Sequence, residues 1–232
     1  MLQAGLKITN KLSGENMRKI GYLAAVAVVL SGCVSAPTKP MDSSAGLQGK
    51  SVILTQYARP DFAAMTPGKA VFGAFGALAM IHSGNELVAK DNIADPSFEI
   101  GEQVANDLSI KDGVRILPNQ RVVATDDKPA TLVKVYPGAD LILDVKTINW
   151  MYSYYPSQWG KYHVNYAVRL RLLNGRTGDL IAQQLCKTDP TDPGNPPSVD
   201  GLRADHSALL KQLLHKAADT CVKNMEQQTL KV

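Results

Sequence analysis

Residues 162–185 read YHVNYAVRLRLLNGRTGDLIAQQL, and this stretch decides the fold. Val164, Tyr166, Val168, Leu170 and Leu172 alternate with Asn165, Arg169 and Arg171, which is the period-two pattern of a half-buried strand. Asn174-Gly175-Arg176-Thr177-Gly178 is hairpin-turn chemistry, so residues 179–186 are expected to pair back. Upstream, Leu141, Leu143 and Val145 alternate with Asp144 and Lys146, giving a strand over residues 139–152. Three antiparallel strands with one solvated face follow. Downstream, Leu209, Leu210, Leu213, Leu214, Ala217, Cys221 and Val222 form one apolar stripe of a long helix over about residues 202–227. The fold class is therefore α+β, with a mainly antiparallel sheet of three or more strands covered by helices.

Earlier elements are shorter. Residues 51–58, SVILTQYA, predict the first strand, ended by Arg59-Pro60-Asp61. Asp95-Pro96 is a helix start, and Ile100, Val104 and Leu108 with Gly101 and Ala105 mark the buried face of a helix that stops at Asp112-Gly113. Residues 114–117 and 122–124 are short strand candidates, and residues 128–136 predict a short helix before Pro137-Gly138. Residues 188–197, TDPTDPGNPP, are a loop, because proline cannot continue a strand. Residues 68–81, GKAVFGAFGALAMI, are nearly all apolar and too few to span a bilayer as a helix. Two readings stand: a buried helix whose glycines allow close packing, or a membrane or subunit interface left exposed. The buried reading is favoured because the segment carries no charged face. Ser83-Gly84-Asn85 is expected to break the run.

The N-terminal region carries an address. Arg18 and Lys19 precede an apolar core at residues 20–30, the layout of a secretory signal. Leu30-Ser31-Gly32-Cys33 resembles the lipobox of bacterial lipoproteins. That resemblance implies removal of residues 1–32 and lipidation of Cys33. Val34, where inner-membrane lipoproteins often have Asp, implies the outer membrane of a Gram-negative bacterium. Met17 stands directly before Arg18, so translation is expected to start there rather than at Met1. Residues 33–50 are rich in Pro, Ser, Gly and Lys and predict a flexible tether, leaving residues 51–232 as one periplasmic domain.

Trimming changes the charge and cysteine arithmetic. The mature chain has 21 basic and 20 acidic residues, so its basic pI is no argument for nucleic-acid binding. With Cys33 lipidated, Cys186 and Cys221 remain as a pair in an oxidising compartment and are expected to form a disulfide; two free thiols are the alternative.

Chemistry-bearing motifs are sparse. There is no P-loop, dinucleotide glycine pattern or zinc-type cysteine spacing, so no cofactor is expected. His206 and His215 lie nine residues apart and point to roughly opposite sides of a helix, so no metal pair is expected. No serine sits in a nucleophile elbow, and no catalytic residue is assigned. Residues 150–166, WMYSYYPSQWGKYHVNY, hold seven of the 14 aromatic residues. Tyr166 belongs to the core by its alternation. Tyr154, Tyr155 and Trp159 flank a loop at residues 156–158 and are the candidate partner contacts.

The order GADLILDVKTINW, aromatic link, YHVNYAVRLRLLNGRTGDLIAQQL, then long helix resembles the periplasmic domain of lipoproteins related to the curli-export channel subunit. It is also similar to the lipoprotein activators of penicillin-binding proteins. The resemblance covers about residues 97–227 and rests on turn signals; it lacks the pair of long amphipathic strands that would build a membrane barrel. It implies an outer-membrane-anchored, non-enzymatic protein that binds an envelope partner or aids assembly, with homo-oligomerisation possible. The alternatives are a subunit of an oligomeric export ring and an envelope hydrolase.

Overall fold

The structure, a computed structural model, describes residues 37–42, 46–118 and 122–231. The signal segment and Cys33 lie outside the described residues. The elements are β1 (Ser51–Leu54), β2 (Ala63–Ala64), α1 (Pro67–Ala70), α2 (Gly73–Asp91), α3 (Ser97–Asp112), β3 (Arg115–Ile116), α4 (Pro129–Val135), β4 (Leu141–Tyr155), β5 (Gln158–Asn174), β6 (Leu180–Thr188) and α5 (Val199–Met225). A π-helical turn, Glu226–Leu230, extends α5.

The fold class is α+β. The three strands read from the alternating pattern form the centre and one side of the sheet, whose order is β3-β1-β4-β5-β6. β4–β5 and β5–β6 are antiparallel, while β1 pairs in parallel with β4 and β3, and β2 pairs in parallel with the outer part of β4. Leu141, Leu143 and Val145 of β4 and Val164, Tyr166, Val168, Leu170 and Leu172 of β5 line the main core beneath the helices. Ile100, Val104 and Leu108 of α3 and Leu210, Leu214, Ala217 and Val222 of α5 complete it. Cys186 at the end of β6 and Cys221 on α5 are joined by a disulfide, with Cα atoms 5.6 Å apart.

Several expectations need correction. The face expected to be solvated is partly covered. α4 and the segment before it pack there, with Leu132, Tyr136, Ile142 and Leu173 making a second, smaller core. Asp144 on that face is fully buried. It accepts from Arg171 Nε at 2.7 Å, Arg169 Nη2 at 3.2 Å and Tyr57 Oη, so its charge is paired. α3 begins one residue later than expected, at Ser97, and Asp95 caps its N–H at 3.1 Å from one position further out. Of the strand expected at residues 122–124, an isolated bridge from Ala124 to Tyr57 is described.

Gly84 does not break α2, which runs on to Asp91. It is the point where the helix touches β2: a Cβ there would lie 1.9 Å from the Phe62 carbonyl oxygen. The long helix is interrupted instead. Asp205, His206 and Ser207 have φ of 49°, 55° and 61°, three successive left-handed residues that L side chains resist. Ser207 is buried there and donates to Asp91.

The expected tether docks from Pro37 onward. Lys39 and Gln183 exchange two backbone hydrogen bonds of 2.8 Å at the β6 edge, and Met41 N donates to Thr229 O at 2.7 Å. Met41 and Leu47 are buried. The coil fails because an open sheet edge offers backbone partners, and two apolar side chains find the core.

Candidate functional site

The candidate contacts sit where β4 and β5 outrun the sheet. Both strands continue beyond the expected boundary and close in a tight turn at Pro156 and Ser157, with Tyr155 opposite Gln158. Four of the seven aromatics here are structural. Trp150, Tyr152, Tyr162 and Tyr166 are buried. Phe62 meets Trp150 edge-on at 5.0 Å, and Tyr152 meets Tyr162 at 5.8 Å. Arg203 Nε donates to Tyr152 Oη at 3.1 Å, satisfying the polar end of a buried ring.

The three remaining residues do not form one patch. Tyr154 and Tyr155 are successive on a strand, so their rings leave opposite faces. Tyr154 is half-buried against the main core. Tyr155 stacks on the His163 imidazole at 4.5 Å. Trp159 projects, 68% exposed, with Nε1 donating to Pro156 O at 2.9 Å across the turn.

A second feature lies at the same end. Ala64 pairs with Tyr152, and Met65 N donates to Tyr152 O at 3.0 Å. The chain then runs on past this level into α1 and the start of α2. α2 returns antiparallel to β2, since Gly84 packs on Phe62 and Asn85 Oδ1 accepts from Phe62 N at 2.9 Å. The first turns of α2 therefore project toward the hairpin tip. The link between α1 and α2 carries Val71 and Phe72, and the first turns of α2 carry Phe75 and Leu78; they are 75%, 68%, 83% and 68% exposed. The buried reading of this segment is overturned. Its inner side is occupied by close glycine contacts, Gly76 on the Lys69 carbonyl and Gly84 on the Phe62 carbonyl, while the bulky side chains stay exposed. Phe75 and Leu78, three residues apart, fall on one face of α2, while Gly73, with φ 53°, separates them from Val71 and Phe72 in the link before the helix.

A polar constellation on the Tyr155 side was not found in the sequence. Ser153 and His163 are directly opposite in the β4–β5 register. Ser153 Oγ lies 2.7 Å from His163 Nε2, and His163 Nδ1 lies 2.8 Å from Asp189 Oδ2. Asn165 Nδ2 donates to Ser153 Oγ at 3.3 Å. The order of groups is that of a nucleophile, base and orienting carboxylate. The setting differs: Ser153 is in mid-strand and buried, and the Tyr155 ring lies over the imidazole. The clefts beside α3 are lined by other residues, among them Asp95, Phe98, Glu102 and His215. No sequence motif reports this constellation, because Ser153 and His163 meet through strand register and Asp189 through the path of the chain after β6.

The other expected groups are placed apart. His206 stands 3.9 Å from Asp91, and His215 Nδ1 is 2.7 Å from Glu99. No group of three metal-ligating side chains occurs among the described residues, and no described helix is long and apolar enough to cross a membrane.

No protein-family model matches the chain, and no curated protein matches it. Solved structures similar to it include the PelC dodecamer from Paraburkholderia phytofirmans (14% identity, 78% of this chain and 91% of that one, TM-score 0.31). Lipoprotein GNA1162 from Neisseria meningitidis is similar at 14% identity over 75% of this chain and 99% of that one, TM-score 0.31. The LpoB C-terminal domain from Salmonella enterica follows at 10% identity over 62% of this chain and 86% of that one, TM-score 0.28. Bacterial lipoproteins are thus among the structures this chain is similar to.

Proposed function

We propose that this protein is an outer-membrane-anchored lipoprotein, held by Cys33, whose periplasmic domain is a non-enzymatic binding or assembly module of the cell envelope. The observation that carries this reading is the pole formed by the β4–β5 tip and the start of α2. Four large apolar side chains of one short segment stand two-thirds or more exposed, at the same end of β4 as the exposed Trp159 of the hairpin tip. An exposed apolar patch of this kind marks a contact surface. The lipobox sequence supports the anchor. The test is photo-crosslinking in cells from residues 75 and 159. Capture of an envelope component from both positions is expected; free, uncrosslinked protein at both would overturn the reading.

A hydrolase is the second reading, because Ser153, His163 and Asp189 are hydrogen-bonded in series. Covalent labelling by a fluorophosphonate, lost in Ser153→Ala, would establish it and displace the non-enzymatic assignment. An unlabelled protein leaves His163 as a strut between β4 and the segment after β6.

A further inference from the structure

We infer that the exposed pole is a lipid-binding surface that lies in the headgroup and upper acyl region of a bilayer. This names the partner class of the contact surface proposed above and rests on the envelope assignment. The first support is apolar exposure. Val71, Phe72, Phe75 and Leu78 face outward from a segment that projects beyond the sheet. The second is amphipathic chemistry at the hairpin tip. Trp159 is exposed and Tyr155 half-exposed, ring types whose apolar body and polar edge suit a membrane–water interface.

The third support is charge. Residues 62–85 contain one charged side chain, Lys69, and residues 147–168 contain one, Lys161. No carboxylate occurs in either stretch. A second copy of this surface would bring lysines toward lysines. Anionic lipid headgroups complement the two lysines, and acyl chains accept the phenylalanines. The contact is shallow, since no described helix can cross the bilayer.

The two tryptophans make a direct test. Trp150 is fully buried and Trp159 is exposed, so depth-dependent quenching reports one residue. The full-length protein is reconstituted with vesicles of phosphatidylethanolamine and phosphatidylglycerol bearing bromine at defined acyl positions, and flotation records anchoring separately. Bromine near the headgroup end is expected to quench Trp159 and to leave the Trp159→Phe protein unaffected. Phe72→Glu/Phe75→Glu is expected to lower the partition constant read from the quenching by at least about tenfold, because one buried phenylalanine alone contributes about that factor. Protein that floats without Trp159 quenching overturns the lipid contact while the anchor stands. Protein that neither floats nor is quenched overturns both. Crosslinks between copies through position 75, with no quenching, would assign the pole to self-association instead.

Discussion

Glu226 shows how one side chain sets the pH response. Burial, together with a hydrogen bond to and repulsion from Asp107, raises its carboxyl from 4.5 to about 7. Its folded pKa lies above the unfolded one, so its contribution is complete below about pH 4.5 and is lost as pH rises through 7. Asp127 behaves in the opposite sense. Burial alone would raise it, but hydrogen bonding and charge from Arg169, with Lys146, lower it from 3.8 to about 2. That contribution is present above pH 4 and is lost as pH falls toward 2. Urea midpoints measured against pH are therefore expected to fall on both sides. Glu226→Gln should flatten the upper limb alone and raise stability at pH 8; an unchanged upper limb would refute the assignment. Asp144→Asn should cost roughly 3 kcal/mol, because the buried Arg171 would lose its carboxylate partner, while Arg169 keeps Asp127 at 2.7 Å. Equilibrium denaturation measures it, and a loss below about 1 kcal/mol would mean Arg171 finds water instead.

Among the elements, α2 was the hardest to read. Its composition is that of a core helix, yet only its C-terminal half reaches the core, through Gly84 and Val88. Gly84→Ala is expected to destabilise the domain, because its Cβ would meet a backbone carbonyl that has no flexible end to move. Overpacking of this kind costs about 1–3 kcal/mol, read as a lower thermal midpoint; an unchanged midpoint would show that α2 can lift from β2 freely. The strands were legible over most of their length, since Leu141, Leu143, Val145 and Val164–Leu172 alternate against a single packed layer of helices. Their outer ends were not. Residues 156–161 close the ribbon beyond the sheet and are exposed on both sides, which erases the alternation. The break at residues 204–207 was equally hidden, because Ser207 enters the core by a tertiary hydrogen bond to Asp91 rather than through any local turn signal.

At the scale of the molecule, the disulfide ties the edge strand β6 to α5, the helix that covers the sheet. It closes a separation of 35 residues, for which loop-closure entropy predicts a stabilisation of roughly 3.5–4 kcal/mol. Reduction, or the Cys186→Ala/Cys221→Ala protein, should lower the unfolding free energy by about that amount with little change in far-ultraviolet dichroism. A midpoint unaffected by reductant would show that packing alone holds α5 in place.

Patterning by itself determined the central three-stranded sheet, the covering helices and the cysteine pair, because each is written as local periodicity or as a count. The lipobox likewise stands in the sequence as an expectation about Cys33. Only the tertiary structure decided what the apolar and polar exceptions do. Hydrophobicity says that Phe72 and Phe75 avoid water; it cannot say whether this chain supplies the cover, and the described residues do not. Asp144, charged and on the face expected to be wet, is buried because arginines two strand positions apart on β5 converge on it. Ser153 and His163 are brought together by strand register, and Asp189 reaches them from the segment after β6. Register depends on every pair along two long strands at once, and no short window of sequence contains it.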